Sequence, residues 1–356
     1  MPPSDTAERL ELLAETMESA AMRGHWLVLM HDNPDPDAIA SAAGLSRLLR
    51  AAYGREVTTA YGGIIGRAEN REMVRLLRIK MSHVRQLDWK HYRHFALVDT
   101  QPQTGNNQLP DDRVPEIVLD HHPLRARTRR AAFHDVRPEY GATATIVAEY
   151  LREAGVDLSR QLATALLYAI RTETQEFRRD FCEADRELHE VLVPLADSRA
   201  LGRIQTPRLP LSYFHNLHGA LESLEGVGTL IVSHLHEIDQ PDIVPELADL
   251  LVRLEGKTWA LCTGRFGDRL YLSLRTTNTR ADAGQLMRRL VGTRGKGGGH
   301  GMTAGGWVAL EKAPGGDAES LERHLAGRLA KYLKKNPQRI APIPMQLRSA
   351  DPPDTT

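Results

Sequence analysis

Residues 25–37 read HWLVLMHDNPDPD, in which an apolar run is followed at once by an imidazole and several carboxylates. The run at 25–30 is short, continuous and rich in large apolar side chains, which is typical of a buried strand. The alanine-rich stretch at 38–52 that comes next has strong helix propensity and ends near Gly54. The segment therefore predicts a strand, an acidic loop and a helix in direct succession.

Similar units continue on both sides of this segment. An amphipathic helix is predicted before it at 6–23, and apolar runs alternate with helical patterns after it. The runs lie at 57–61, 95–98 and 117–119, and the helical patterns lie at 67–80 and 142–153. Alternation of this kind indicates an α/β domain built on a mostly parallel sheet that is flanked by helices.

The rest of the chain predicts a second, smaller domain of mixed α/β structure. It follows a mainly helical stretch at 161–224, which is interrupted near Pro207 and Pro210. Predicted strands, a glycine-rich loop and a last helix then occupy 227–232, 259–263, 270–274, 296–301, 307–310 and 321–333. We therefore predict domains at 1–190 and 225–337, a helical linker at 191–224, and a loosely ordered, proline-rich tail at 338–356.

Composition excludes several classes of protein. Lysine and arginine balance aspartate and glutamate at 46 each, so no global field attracts a long nucleic acid polymer. The two cysteines, Cys182 and Cys262, do not have the spacing of a disulfide framework or a thiolate zinc site. No segment approaches the roughly 18 apolar residues of a membrane span, and the N-terminus lacks a signal-peptide pattern. We therefore expect a cytoplasmic protein that does not bind membranes.

Three predicted strands each end in residues that can bind divalent cations. These residues are His31, Asp35 and Asp37 after the first strand, Asp99 after the run at 95–98, and Asp120, His121 and His122 after the run at 117–119. Each motif alone has an ordinary explanation, such as a helix cap or a polar strand end. Because ligands collect at the carboxyl ends of parallel strands, the three motifs together indicate a site for two cations. Mn²⁺ accepts both carboxylate and imidazole ligands, and a pair of such ions can hold a bridging hydroxide.

A glycine-rich segment in the second domain is a candidate anion site. Residues 296–301 read KGGGHG and lie downstream of Arg275. Consecutive glycines let backbone N–H groups approach an anion closely, and an arginine can fork onto a phosphate. A flexible turn between a helix and a strand is the alternative explanation.

Together these motifs resemble the DHH phosphoesterase superfamily, in particular its branch of oligoribonucleases and nucleotide phosphodiesterases. The family is named for the triplet found here as Asp120-His121-His122, and its first motif is similar to residues 31–37. Its associated C-terminal domain carries a loop like Gly297 to His300. The resemblance spans roughly residues 20 to 310. It implies a catalytic role for the first domain and a substrate-binding role for the second.

The resemblance also implies a role for each candidate residue. One Mn²⁺ would be held by His31, Asp35 and Asp99, and the other by Asp37, Asp99 and His121. His122 would face the scissile phosphate, while Asp120 would orient the imidazoles. The family's substrate-gripping residues correspond to Arg275, Gly297, Gly298, Gly299 and His300.

Three positions depart from the family pattern. Pro36 and Ala40 replace two glycines of the first motif. The family's Thr-Asp-Thr motif, which completes the second cation's ligands, appears here as residues 172–174 with Glu173 at its centre. Glu173 is predicted to be a metal ligand, with pairing to a neighbouring arginine as the alternative.

These implications define an expected enzyme. We predict a phosphoesterase that uses two Mn²⁺ per chain, with Mg²⁺ or Co²⁺ as possible substitutes, and a bridging hydroxide that attacks phosphorus. Its substrates would be short RNA, dinucleotides or 3′,5′-bisphosphorylated nucleosides, and the chain could form a homodimer. A polyphosphatase or pyrophosphatase is one alternative, and a non-catalytic nucleotide sensor with the same fold is another.

Overall fold

The computed structural model describes residues 5–19, 22–178, 181–313 and 317–344, except for the side chains of Asp5 and His300. The chain divides into two compact units, Met1–Pro207 and Arg208–Thr356. The division falls within the stretch predicted as a linker at 191–224. Each unit is an α/β structure, as the sequence predicts.

The first unit is built on a six-stranded sheet in the order β3-β2-β1-β4-β5-β6. Its strands are β1 (His25–Leu29), β2 (Glu56–Tyr61), β3 (Ser82–His83), β4 (His94–Val98), β5 (Ile117–Asp120) and β6 (Phe133–Val136). Every neighbouring pair is parallel. β1 lies between β2 and β4, with Trp26 opposite both Val57 and His94. The carboxyl ends of β1, β4 and β5 therefore lie side by side.

Seven helices of the first unit are described. They are α1 (Asp5–Glu18), α2 (Pro36–Tyr53), α3 (Ala68–Leu76), α4 (Thr143–Glu153), α5 (Arg160–Glu173), α6 (Glu183–Leu192) and α7 (Ser198–Gln205). Side chains of α2, α4 and α5 cover one face of the sheet, where they pack on Trp26 and Val28. Leu27 and Leu29 point to the opposite face, because successive side chains of a strand alternate.

Helix α2 begins directly after the acidic loop. Asp35 is its N-cap, and the side chain of Asp35 accepts a hydrogen bond from the N–H of Ala38 at 3.0 Å. Pro36 occupies the first turn, where the missing N–H costs nothing and the fixed φ favours the helix. The proline that departs from the family pattern is therefore accommodated by the helix start.

The second unit contains a seven-stranded sheet in the order β11-β12-β10-β9-β8-β7-β13. Its strands are β7 (Glu225–Val227), β8 (Leu230–Glu237), β9 (Trp259–Phe266), β10 (Arg269–Thr276), β11 (Gly295–His300), β12 (Thr303–Ala309) and β13 (Ala341–Pro342). β8 and β9 are parallel, and the other pairs are antiparallel. The described helices are α8 (Leu211–Glu222), α9 (Ile243–Leu251), α10 (Ala283–Val291) and α11 (Ala318–Tyr332).

Two segments differ from their predicted conformation. The glycine-rich stretch predicted as a loop is strand β11, which pairs with β12. A Cβ on Gly295 would lie 1.8 Å from the carbonyl oxygen of Trp307, so the absence of a side chain lets the two backbones approach. Residues 341–342, in the stretch predicted as a loose tail, pair with β7. Residues 345–356 of that stretch lie outside the described residues.

Among the residues that the structure describes, none of the helices combines the length and the apolar character needed to cross a bilayer.

Candidate metal centre

The candidate centre lies in the first unit, where three neighbouring parallel strands end. The chain leaves β1 at His31, β4 at Asp99 and β5 at His121. β1 pairs with β4, and β4 pairs with β5, so the topology brings these residues to one sheet edge. The structure thus brings together the three motifs that the sequence places far apart.

One group of converging ligand atoms consists of His31, Asp35 and Asp99. The Nε2 atom of His31 lies 3.6 Å from Asp35 Oδ1 and 3.4 Å from Asp99 Oδ2. His31 Nδ1 donates to the carbonyl of Asp32 at 2.9 Å, which directs Nε2 toward the carboxylates. Burial lowers the pKa of His31, but the two carboxylates outweigh it and raise that pKa well above its usual value. A positive charge is therefore favoured between these side chains.

A second group consists of Asp99, His121 and His122. His121 Nε2 lies 3.6 Å from Asp99 Oδ1, and His121 Nδ1 donates to the carbonyl of Tyr140 at 3.2 Å. His122 Nδ1 lies 3.6 Å from the same oxygen of Asp99. Two imidazoles and a carboxylate thus face one another beside the first group.

Asp99 belongs to both groups. Only 3% of its side chain is exposed, and its backbone has a φ of 55°, in the left-handed region. Aspartate tolerates this region better than most residues, yet the conformation is uncommon and is often found at functional sites. The hydroxyl of Thr143 donates to Asp99 Oδ1 at 3.0 Å and helps to fix the carboxylate. One carboxylate is thereby placed where it could bridge two cations.

Asp37 also caps helix α4, and this contact uses the same oxygens that would bind a metal. Its two oxygens accept hydrogen bonds from the N–H groups of Thr143 and Ala144, at 2.8 and 2.7 Å, at the start of α4. Asp37 Oδ2 lies 3.9 Å from His121 Nε2. Asp37 is outside the two converging groups, so its role as a ligand of the second cation stays a prediction.

Glu173, the last residue of α5, also stays a predicted ligand. It is close enough for its charge to raise the pKa of both Asp37 and His122. It is not among the atoms that converge in either group. One arginine that could have paired with it, Arg171, instead contacts Glu176 at 2.8 Å.

Asp120 fixes the orientation of His122 through two hydrogen bonds, as a positioning residue would. Its Oδ1 atom accepts hydrogen bonds from both the backbone N–H and the Nδ1 of His122, at 3.2 and 2.9 Å. Burial disfavours a charged imidazole, but Asp120 and Asp99 outweigh burial and raise the pKa of His122 to about 9. The ring is 41% exposed, so a protonated His122 could donate to a substrate.

Gln101 is a site residue that the sequence did not reveal. Its Nε2 donates to Asp120 Oδ2 at 2.6 Å, and its Oε1 accepts from the N–H of Arg125 and the hydroxyl of Thr128. Only 1% of Gln101 is exposed. Its position two residues after Asp99 was the only available signal, because a lone glutamine carries no motif.

The predicted substrate-binding residues lie in the second unit. Arg275 on β10 is paired with Asp249 and donates to the carbonyls of Leu274 and Ala304 at 3.2 Å. Its guanidinium is therefore already held by protein groups. Gly297, Gly298 and Gly299 lie within β11, and the side chain of His300 lies outside the described residues. These residues remain predictions as a phosphate grip.

The donor set fits divalent cations. Burial raises the pKa of Asp37 well above its usual value, and the charges of Asp99, Glu173 and Asp35 raise it further. These carboxylates lie close together, and those of Asp37 and Asp99 are buried, so they repel each other unless cations or protons neutralise them. Carboxylate oxygens together with imidazole nitrogens suit a borderline ion such as Mn²⁺.

Comparisons with known proteins agree with the two-unit architecture. The family model described as "DHH family, N-terminal domain" matches residues 25–170, and the DHHA1 domain model matches residues 228–323. An exopolyphosphatase-related protein from Bacteroides fragilis has a similar structure, with a TM-score of 0.69 and 14% identity. That match covers 92% of this chain and 98% of the other, and it concerns the fold alone.

Two curated relatives cover different parts of the chain. An uncharacterized protein of Methanocaldococcus jannaschii is 37% identical over 80% of this chain, which spans 58% of that protein. A probable manganese-dependent inorganic pyrophosphatase of Listeria monocytogenes is 28% identical over 48% of this chain. This chain spans 55% of the Listeria protein, so little more than half of either relative's length is matched.

Three features indicate the same family. They are the Asp-His-His triplet at the end of β5, the ordered motifs around it, and the paired DHH and DHHA1 domains. The chain belongs to the DHH phosphoesterase superfamily.

Proposed function

We propose that this protein is a Mn²⁺-dependent phosphoesterase that hydrolyses small nucleotides, such as short oligoribonucleotides, dinucleotides or 3′,5′-bisphosphorylated nucleosides. The observation that carries the proposal is the buried carboxylate of Asp99, which is shared by two groups of converging ligand atoms. A shared carboxylate between two imidazole-containing groups is the arrangement that a pair of cations needs. Family membership supports phosphoester chemistry.

His31, Asp35 and Asp99 would hold one cation, and Asp99 and His121 would hold the other, with Asp37 and Glu173 as further candidates. When bound, the cations would supply positive charge to the phosphoryl group and activate water for attack. The chain itself fixes the direction of each imidazole. Backbone carbonyls of Asp32 and Tyr140 accept from the Nδ1 atoms of His31 and His121. Both Nε2 atoms are thereby left to act as ligands.

His122 is the candidate for direct contact with substrate. Because Asp120 accepts from its Nδ1, the Nε2 atom is left to face the reacting phosphate. The hydrogen bond to Asp120 stabilises a ring that carries a proton. Such a ring can donate a hydrogen bond to a phosphoryl oxygen, whose negative charge increases as the bond to the leaving group breaks.

The balanced charge of the chain supports a small substrate. Long polyanions are bound mainly through many lysine and arginine contacts, whereas 46 basic residues here are offset by 46 acidic ones. A pyrophosphatase is the second candidate, and it is favoured by the name of the Listeria relative. Both candidates use the same residues of the first unit.

A substrate panel tests the proposal. Purified protein with Mn²⁺ is incubated with a dinucleotide, a short RNA, a 3′,5′-bisphosphorylated nucleoside, pyrophosphate and polyphosphate. We expect turnover of a nucleotide, and Asp99→Asn should abolish it and reduce the bound Mn²⁺. Asp111→Asn, at an exposed aspartate, is the matched control and should change neither.

Each alternative result points elsewhere. Turnover of pyrophosphate alone would favour the second candidate. Saturating Mn²⁺ binding without turnover of any substrate would favour a nucleotide sensor. Full activity in Asp99→Asn would refute the assignment of this site.

A further inference from the structure

A second pocket in the first unit has the opposite electrostatic character to the metal centre. It lies between the later turns of α2, strand β2, the turn after α3 and the start of α5, and its volume is about 360 Å³. We call it the basic pocket. Four cationic side chains line it, those of Arg47, Arg50, Arg78 and Lys80. No aspartate or glutamate is among its lining residues within the described part of the chain.

The four cations of the basic pocket are not neutralised. Arg47 donates to the carbonyl of Asp157 at 3.4 Å, and Arg50 donates to the carbonyl of Val57. Neither contact involves a carboxylate, and an arginine has five N–H donors, so each side chain keeps donors to spare. Among the described residues, none of the four forms an ion pair. Four unpaired positive charges around one concavity attract an anion.

Ser46 gives an independent sign of a ligand. It lines the pocket, only 2% of the residue is exposed, and its hydroxyl has no hydrogen-bond partner within the described residues. A buried hydroxyl without a partner costs free energy, so most such groups in proteins are satisfied. The hydroxyl itself is shielded from solvent, so a ligand oxygen that reaches the base of the pocket would supply the missing partner.

The start of α5 forms part of the same wall. Ser159 is the N-cap of this 14-residue helix, and its side chain accepts from the N–H of Leu162 at 3.2 Å. Ser159 and Gln161 both line the pocket. The first turn of a helix presents N–H groups and a partial positive charge, which together favour phosphate.

Apolar side chains complete the lining. Leu77, Ile79, Leu162 and Ala165 contact the same space. A pocket of several hundred cubic ångströms with apolar and cationic walls is larger than inorganic phosphate needs and fits a drug-sized organic anion. We propose that the basic pocket binds a small phosphomonoester with an organic body, of the class of a nucleoside monophosphate.

The basic pocket is separate from the metal centre. Asp37 lies at the start of α2 and Ser46 lies nine residues further along, which places them about 14 Å apart along the helix axis. The proposal therefore does not depend on the proposed catalytic function. Binding can be measured without divalent cations and without turnover.

Calorimetric titration of the full chain with adenosine 5′-monophosphate tests the proposal. The titration is carried out in low-salt buffer freed of divalent cations, and it is repeated with Mn²⁺ present. Without divalent cations we expect one binding event that weakens as salt is added. A second event that appears only with Mn²⁺ would belong to the metal centre. Adenosine, which has no phosphate, should not bind, and inorganic phosphate should displace the nucleotide.

Three variants and one control variant locate the binding. Arg47→Glu and Lys80→Glu, both at exposed positions, should each weaken binding by about tenfold or more, because they replace attraction by repulsion. Lys90→Glu makes the same charge change at an exposed lysine outside the pocket and should leave the affinity unchanged. Ser46→Ala should weaken binding by about tenfold without lowering the melting temperature, since it deletes a hydroxyl that the fold leaves unpaired.

Three results would each overturn the proposal. The first is equal affinity for the nucleotide in the wild type, Lys80→Glu and Ser46→Ala. The second is failure of the wild-type chain to bind the nucleotide, and the third is equally tight binding of adenosine. None of these results bears on the metal centre, whose test uses Mn²⁺ content and turnover.

Discussion

Arg137 is the centre of a buried charge network, and its removal should cost several kilocalories per mole. Its guanidinium donates to Asp135 at 2.6 to 3.0 Å, and to Glu149 and the hydroxyl of Tyr140 at 2.8 Å. Only 3% of the arginine side chain is exposed. Burial disfavours its charge, but Asp135 outweighs burial and holds the pKa of Arg137 above its ordinary value. The arginine is therefore charged in the folded protein.

Arg137→Met leaves two buried carboxylates without their main counter-charge. Asp135 still contacts Arg9 at 3.1 Å and accepts from the hydroxyl of Tyr150 at 2.9 Å, so it loses only part of the compensation for its charge. Breaking a buried ion pair by removing one partner typically costs about 3–5 kcal/mol. We expect about 3 kcal/mol, which accelerates hydrogen exchange through global opening of the first unit by about 150-fold.

The loss in Arg137→Met should come from uncompensated negative charge. Without the arginine, the carboxylates of Asp135 and Glu149 stay buried but lack the cation that both of them contact. Adding Glu149→Gln to Arg137→Met should recover part of the loss.

Hydrogen–deuterium exchange with peptide resolution is the assay for Arg137, and peptides of the second unit serve as an internal reference. Arg152→Met is the matched control. Arg152 is 41% exposed and lies 3.7 Å from Glu153, so this pair should contribute less than about 1 kcal/mol. An effect of Arg137→Met as small as that of the control, or no recovery in the double variant with Glu149→Gln, would refute this account of Arg137.

Two further predictions concern catalysis and acid stability. Gln101→Met removes the donor to Asp120 and should lower kcat by about 10- to 100-fold with little change in KM, because His122 is less well oriented. Steady-state kinetics with the substrate found in the panel measures this, exposed Gln103→Met is the control, and an unchanged kcat contradicts the role. Burial lowers the pKa of His234 to about 4, while its Nδ1 donates to Thr263 at 2.8 Å. The unfolded chain binds this proton below about pH 6.5 and the folded chain does not, so stability falls by about 2–3 kcal/mol between pH 6.5 and 4.5. His234→Asn keeps a donor for Thr263 but cannot titrate, so urea denaturation should show a smaller loss in acid. Equal losses in both proteins would exclude His234 as the cause.

Local sequence signals were sufficient for the first unit's central features. The apolar run of β1 and the alanine-rich helix both depend on neighbouring residues, so the strand-loop-helix unit could be predicted. The position of Asp99 beside His31 required only that parallel strands end at a common edge. These predictions rest on the spacing of apolar residues in strands and helices and on the rule that parallel strands end at a common edge of the sheet.

Long-range contacts explain what the sequence could not show. The glycines of β11 predict a loop by composition, but pairing with β12 makes them a strand. The capping of α4 by Asp37 joins residues 106 positions apart. The ion pair of Arg275 with Asp249 likewise depends on how β10 and α9 pack. None of these partners leaves a periodic signal in the sequence.

Asp35 contributes both to the capping of helix α2 and to the candidate cation site, and these two contributions depend on different properties of its side chain. As the cap of α2 it accepts from the N–H of Ala38, and as a member of the first converging group it faces His31. Asparagine and serine cap helices about as well as aspartate, so the fold alone would permit either replacement. Only cation binding requires the negative charge. A neutral capping residue at position 35 would therefore keep helix α2 but remove a charge that the proposed first cation needs.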